Sequence, residues 1–361
     1  MSKGEIELLR KEIERIDAKI LELVSQRSQA SFEIGLVKQK DGLPVRDKSR
    51  EERVKQTYAK RARETGSDPD VAVKIAELLI SDSARIQTRK TGKDLAGKEA
   101  LVVGGSGRMG SWLCRRLSNR GATVKVWDPR GKLEGYENVG ALKPAVRNSD
   151  IVVISSPLGI APAELKLVLK ANPNGLVFDV CSVKSHIAQQ LRSAARSGVD
   201  IASVHPMFGP NAPTPKGRNV IICDCGSAKG VILAEKLFSR AGANVVKMPI
   251  EKHDELMAYV LGLPHLSSLL FATMLAESGQ SIAALRDAQG PSFERMLAAS
   301  RELARESVRV YHDIQALNPN TQAMFTKFVN SVKFLKMASI RKDPTAFRKL
   351  MESNRKYLEV R

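Results

Sequence analysis

The segment "SVHPMFGP", Ser203 to Pro210, closes the apolar run "VDIASV" and sets one histidine among prolines. Histidine is scarce here, with five in 361 residues. Because Pro206 follows it, the backbone of His205 is held in the β/PPII region. A strand end with a rigid turn would use these residues. So would a preorganised base, since imidazole is the side chain that trades protons near neutral pH. The rest of the sequence has to decide between the two.

A second group lies in "LVVGGSGRMG", which carries GxGxxG at Gly105, Gly107 and Gly110 with Arg108 and Met109 between the last two. An apolar strand pattern precedes it and a helical pattern follows. Asp128 ends the next apolar run, "TVKVWD", twenty-three positions past Gly105. That context is what a dinucleotide-binding fingerprint requires. The glycines permit a tight turn and close approach of a pyrophosphate, which sits at the helix N-terminus. Gly105, Gly107, Arg108, Met109, Gly110 and Asp128 are the expected cofactor-binding set. A carboxylate at Asp128 accepts from ribose hydroxyls and repels a 2′-phosphate, which favours NAD over NADP. Arg130, two residues on, is chemically able to receive that phosphate.

The third group sits on helices. At 100° per residue, Arg27 and Lys38 are three turns apart and share a face. Arg10, seventeen residues before Arg27, points about 100° away and suits the pocket of a partner chain better than its own. Asp47, Arg50 and Glu51 stand at i, i+3 and i+4, and Ser83 and Gln87 at i and i+4.

Taken together, "LRKEIERIDAKILELVSQRSQASFEIGLVKQKDGLPVRDKSREERV" and "LLISDSARIQ" resemble the small helical chorismate mutase family over residues 5 to 90. The resemblance implies an intertwined dimer in which Arg10 comes from the partner chain. It implies that Arg27 and Ser83 bind carboxylate, and that Lys38 and Gln87 reach the ether oxygen. Glu51 and the backbone near Asp47 would take the ring hydroxyl, with Arg50 in the same polar set. Rearranging chorismate to prephenate is pericyclic, so the enzyme must hold a folded dianion and stabilise charge on the ether oxygen. Arginines suit its carboxylates through paired hydrogen bonds.

"DVCSVKS" and "SVHPMFGP", on successive strand patterns after the fingerprint, resemble the prephenate dehydrogenase family from about Lys98 onward. The resemblance implies that His205 is the catalytic histidine and Ser182 a neighbour that orients it. It places His265 of "GLPH" beside the substrate and Arg301 of "ASRELARES" on its carboxylate, with Arg295 as the competing choice. His253 of "EKHDE" is expected to play a structural helix-start role. The product of the first reaction is the substrate of the second, so both halves fit one enzyme of tyrosine biosynthesis. The alternative is an arogenate dehydrogenase whose mutase-like region serves dimerisation or regulation.

These side chains need three kinds of support. Residues 1–92 read as a helical mutase module. Leu9, Ile13, Ile16, Ile20 and Leu23 repeat at 4-3-4-3 spacing along a helix of roughly 50 Å, too long to bury its stripe in its own module. Residues 97–249 alternate short apolar strands with helices, which predicts a Rossmann-type domain with a parallel sheet. Residues 250–361 are helical in period and predict an all-helical domain for substrate binding and dimerisation. The fold class is therefore multi-domain, α and α/β.

Composition narrows the partners. The net charge is +19, but basic residues are spread along the chain among acids, without a basic arm, which argues against nucleic acid. No uninterrupted stretch of eighteen apolar residues occurs, and the charged N-terminus lacks a secretory core, so neither a membrane span nor export is expected. Cys114, Cys181, Cys223 and Cys225 have no metal-ligand spacing and read as reduced core residues of a cytoplasmic protein. No metal is expected.

Overall fold

The apolar stripe of the N-terminal segment forms a single helix, α1 (Lys3–Lys40), in a computed structural model that describes residues 3–40, 43–87, 93–341 and 344–359. Asp47 caps α2 (Lys48–Thr65) by accepting from Arg50 N, and α3 (Pro69–Gln87) follows. Two residues of the expected "DGLP" break, Asp41 and Gly42, and residues 88–92 of the expected linker lie outside the described residues. Gly35 brings α1 and α3 together, for a Cβ there would lie 2.7 Å from the Gln87 Cα.

The alternating region gives β1 (Glu99–Val103), α4 (Arg108–Asn119), β2 (Thr123–Trp127), β3 (Glu137–Asn138), α5 (Leu142–Arg147) and β4 (Ile151–Ile154). It continues with α6 (Ala161–Lys170), β5 (Leu176–Asp179), α7 (Ala188–Arg196) and β6 (Ile201–Pro206). Then come β7 (Asn219–Asp224), α8 (Ala228–Ser239) and β8 (Asn244–Pro249). Strand order is β3-β2-β1-β4-β5-β6-β7-β8. β1 pairs parallel with β2, β2 with β3, β4 with β5, and β5 with β6. The central strands β1 and β4 carry continuous apolar runs because they are buried on both faces, as in "LVV" at Leu101–Val103 and "IVVI" at Ile151–Ile154.

Two expectations need correction. β6 and β7 are antiparallel, with His205 opposite Ile221. The connection between them holds Pro210, Pro213 and Pro215, so no crossover helix forms there and the chain turns straight back. The strands also do not end at "NVIICDC": β8 follows as a largely exposed edge strand, whose "NVVKMP" shows no clear apolar run.

The C-terminal helices are α9 (Ile250–Met257), a π-helical turn at Ala258–Gly262, α10 (Leu263–Glu277), α11 (Ile282–Asp287) and α12 (Pro291–Ala304), followed by α13 (Val308–Leu317), α14 (Thr321–Ile340) and α15 (Pro344–Tyr357). Pro264 supplies no backbone N–H to the helix, and the Gly262 carbonyl accepts from Gln315 Nε2 at 2.9 Å. Although no uninterrupted apolar stretch exists, Ile250–Glu277 is apolar and long enough to cross a membrane by length and composition. In this structure the run holds His253 and Asp254 in the interior, and Ala258 and Leu266 pack with Met324.

The chain forms two compact units. One comprises Met1–Val139, Met207–Asn219 and Phe238–Asn244; the other comprises Gly140–Pro206, Val220–Leu237 and Val245–Arg361.

Candidate active sites

In the first unit, α1 and α3 bring part of the helical polar set together. Arg27 Nη1 donates to Ser83 Oγ at 2.6 Å and to Leu79 O at 2.7 Å. Ser31, which sequence reasoning did not select, joins them by donating to Ser83 Oγ at 2.9 Å. Lys38 Nζ donates to Val45 O at 2.6 Å, and Gln87 is buried beside Gly35. Arg46, also not selected, donates to both oxygens of Glu51 at 2.9 and 3.0 Å. Asp47 Oδ1 accepts from Arg50 N at 3.0 Å, the α2 cap, and from Ser49 Oγ at 2.9 Å. Arg50 is exposed. Arg10 is exposed too, 3.8 Å from Glu7, and is not gathered with Arg27 within the chain.

The glycine fingerprint, also in the first unit, has the expected shape. Gly104 turns the chain with a φ of 78°, and Gly107 precedes the first residue of α4. A Cβ at Gly110 would lie 2.2 Å from Gly104 O, and one at Gly105 would lie 2.7 Å from the Val126 side chain. Only glycine fits, and the cradle suits a dinucleotide pyrophosphate. Arg108 Nη2 donates to Asn211 Oδ1 at 3.2 Å, and Met109 is half-buried. Asp128 accepts from Ser106 N at 3.2 Å, from the Ser106 hydroxyl, and from Arg130 N at 3.0 Å and Nε at 3.2 Å. Burial raises its pKa, but the bonds from Ser106 and Arg130 outweigh that and hold it below the usual carboxylate value. Arg130 is thus folded onto Asp128.

The second unit contains His205, which is 4% exposed on β6. Its Nδ1 lies 2.9 Å from His253 Nε2, and His253 Nδ1 lies 2.7 Å from Asp254 Oδ1. His253 stands at the start of α9, as expected, and it also meets His205. The residue is fully buried in the first turns of α9 and is the partner of the candidate base. Nothing in "EKHDE" separates this from a surface helix start, because the contact spans 48 positions. Among the described hydrogen bonds, Ser182 makes none to His205; Ser182 is half-buried in the turn after β5.

That turn grips Asp254. Lys184 N donates to its two oxygens at 2.9 and 3.1 Å, Ser185 N at 2.7 Å and Ser185 Oγ at 2.5 Å. Burial alone would raise the Asp254 pKa, yet the bonds from His253, Ser185 and Lys184 hold it at about 2. Lys184, fully buried, donates from Nζ to Asp179 Oδ1 and to Val204 O, both at 2.8 Å. Ser203 Oγ completes Asp179 at 2.5 Å. His205 is held well below its ordinary pKa by burial first, and then by His253 and the Lys184 ammonium. At neutral pH it is an uncharged imidazole, able to accept a proton.

His265 on α10 stacks edge-on with Tyr311, ring centroids 4.3 Å apart, and burial lowers its pKa to about 4. Arg295 and Arg301 are both exposed on α12. Ser300 Oγ donates to Ser268 O at 3.0 Å, and Phe293 meets Phe271, which fixes the face of α12 turned to α10. Arg301 flanks that face, whereas Arg295 points about 160° away from Phe293. The four cysteines are free and buried, and burial raises Cys114 and Cys223 to about 12.

Residues 9–88 match the chorismate mutase type II family. Residues 134–247 match the nucleotide-binding domain of prephenate dehydrogenase, and residues 249–353 match its dimerization domain. A 4-amino-4-deoxyprephenate dehydrogenase of Streptomyces pristinaespiralis is 33% identical over 238 residues, 62% of this chain and 78% of that one. A T-protein of Enterobacter agglomerans is 24% identical over 327 residues, 90% of this chain and 85% of that one. A probable arogenate/prephenate dehydrogenase of Methanocaldococcus jannaschii is 28% identical over 267 residues, 71% of this chain, which spans only 60% of that relative's length. The crystal structure of A. aeolicus prephenate dehydrogenase with hydroxyphenyl propionate and NAD+ shares the fold at a TM-score of 0.58 and 21% identity, covering 74% of this chain and 100% of that one. The chain belongs to the prephenate dehydrogenase family and carries a chorismate mutase type II domain over residues 9–88.

Proposed function

We propose that the protein is a bifunctional enzyme of tyrosine biosynthesis, which rearranges chorismate to prephenate and oxidatively decarboxylates prephenate to 4-hydroxyphenylpyruvate. The observation that supports this reading is the presence, in one chain, of an Arg27–Ser83 pair on facing helices, a glycine cradle and a buried His205. Arg27 is held in place by Ser83 and Leu79. The Lys38 ammonium has three donors, so its bond to Val45 O leaves others for the ether oxygen. Glu51, held by Arg46, keeps free lone pairs for a ring hydroxyl. Arg10 serves the partner chain's site.

In the oxidation, His205 Nε2 accepts the proton of the prephenate hydroxyl as the carbon beneath it is oxidised. The bound nicotinamide supplies the hydride acceptor. As the ring carboxylate departs as carbon dioxide, its bonding electrons make the ring aromatic, and His205 returns the proton to the phenol oxygen. Ser182 acts on the substrate hydroxyl, without a described bond to His205, His265 flanks the substrate, and Arg301 takes its carboxylate, a choice supported by the facing of α12. Gly105, Gly107, Arg108, Met109 and Gly110 hold the pyrophosphate and Asp128 the ribose. The cofactor is NAD and not NADP, because Arg130 is already occupied by Asp128.

We infer domains at residues 1–92, 97–249 and 250–361, a homodimer, and a cytoplasmic location without nucleic-acid or membrane partners. Supplying chorismate with NAD+ and following prephenate, 4-hydroxyphenylpyruvate and NADH tests the whole reading. Absence of either product overturns the corresponding half. Supplying arogenate in place of prephenate decides the substrate, because the names of two relatives include amino analogues.

A further inference from the structure

Three distances fix where the protons lie around His205. Asp254 receives Lys184 N, Ser185 N and Ser185 Oγ, all donors, so its carboxylate is ionised and only accepts. The proton in its 2.7 Å bond to His253 therefore sits on His253 Nδ1. Both rings are buried, and a neutral imidazole carries one N–H, which leaves His253 Nε2 as an acceptor. The 2.9 Å contact with His205 is then satisfied only by a proton on His205 Nδ1. His205 Nε2 is left with its lone pair. The opposite arrangement would need a doubly protonated His253 in a fully buried place.

We propose that His253 and Asp254 are positioning residues, which lock His205 in its Nδ1–H form and share the positive charge when Nε2 takes a proton. This rests on the reading of His205 as the group that takes the hydroxyl proton. The charged and titratable groups facing His205 are His253 and Asp254 from α9, and Lys184 with its partner Asp179 at the end of β5. Lys184 and Asp179 nearly cancel, so the Asp254 charge, passed through His253, is what opposes the new positive charge. The balance is simple: the substrate O–H breaks and Nε2–H forms, and the proton returns to the same oxygen when carbon dioxide leaves. A carboxylate that orients an imidazole tautomer is an established device in hydrolases; here a second imidazole stands between the two.

The test uses the full-length protein labelled with 15N-histidine, with the His205 signals identified by their loss in His205→Asn. In the wild type, His205 should show a protonated Nδ1 and a bare Nε2 at neutral pH. Asp254→Asn and His253→Leu should change that tautomer and lower kcat by about 10²-fold or more, with little change in KM. Asp254→Asn should also move the acid limb of kcat to lower pH, because a stabilising anion is lost. His253→Gln, whose amide oxygen still accepts from Nδ1–H, should recover most of the loss seen in His253→Leu. A protonated Nε2 in the wild type overturns the proposal, even if Asp254→Asn does not fold. So do equal losses in the Gln and Leu variants with an unchanged tautomer. If His205→Asn itself turns over normally, the base reading fails and not the relay alone.

Discussion

Burial that removes charge from an imidazole also makes it a ready acceptor, and His205 illustrates both effects. Its position between β5 and β7 lowers its pKa, so it is deprotonated throughout the neutral range. Protonation destroys the acceptor, so kcat/KM should fall as pH falls through the lowered value. The expectation from the isolated residue, a limb near 6.5, shifts to lower pH. His205→Asn should bind prephenate and NAD about normally, lose at least about 10²-fold in kcat, and lose this limb. Steady-state rates from pH 4 to 8 would show it, and near-normal turnover would pass the role to His265. Asp128→Ser should raise NADP use, because it removes the carboxylate and frees Arg130. Comparing kcat/KM for both cofactors checks this; a wild type that prefers NADP would show that Arg130 governs.

Helices and strands matter here through where they touch. Gly35 lets α1 approach the C-terminal end of α3 at Gln87. Gly35→Ala would drive a methyl into the Gln87 backbone and separate the helices. Mutase kcat should fall by an order of magnitude or more while oxidation of supplied prephenate persists, since Gln87 lies within the chorismate mutase type II domain. Measuring both rates on one preparation decides it, and equal losses would mean general unfolding. The turn after β5 works similarly for α9: two backbone N–H groups and one hydroxyl fix Asp254, and through it His253.

At the scale of the whole molecule, α1 leaves its own stripe in water. Ile13 is 58% and Leu23 63% exposed, far more than a lone helix of a folded chain leaves uncovered. A second copy is the natural cover, and in the function proposed above Arg10 would complete the partner's mutase site. Arg10→Ala and Arg27→Ala should each abolish the mutase. Refolded together, they should regain roughly a quarter of it, because half the dimers are mixed and each rebuilds one intact site. No regain in the mixture, or an active monomer in sedimentation, would contradict the shared site. Within the first unit, Arg116 of α4 clasps Glu33 of α1 through both carboxylate oxygens, joining the mutase helix to the dinucleotide-binding helix.

The sequence by itself determined the local features. Glycine spacing specified the cradle at Gly105–Gly110, because a tight turn and close backbone approach are demands on neighbouring residues. Helical periodicity specified α1, and polar spacing specified which residues share a helix face, as for Arg27 with Lys38 and Ser83 with Gln87; joining those faces into one set rested on the family resemblance. The prolines around His205 marked a rigid backbone, which suits a strand end as well as a base. Only the tertiary structure decided which groups meet across long stretches of chain. His253 looked like a helix start, and Lys184 and Ser185 like part of a strand, whereas the strand ends at Asp179 and α9 packs on the turn after it. The antiparallel β7 and the edge strand β8 were likewise invisible, since pairing direction and edge position depend on the other strands. Periodicity records which face of an element is apolar; it does not record which element will cover it.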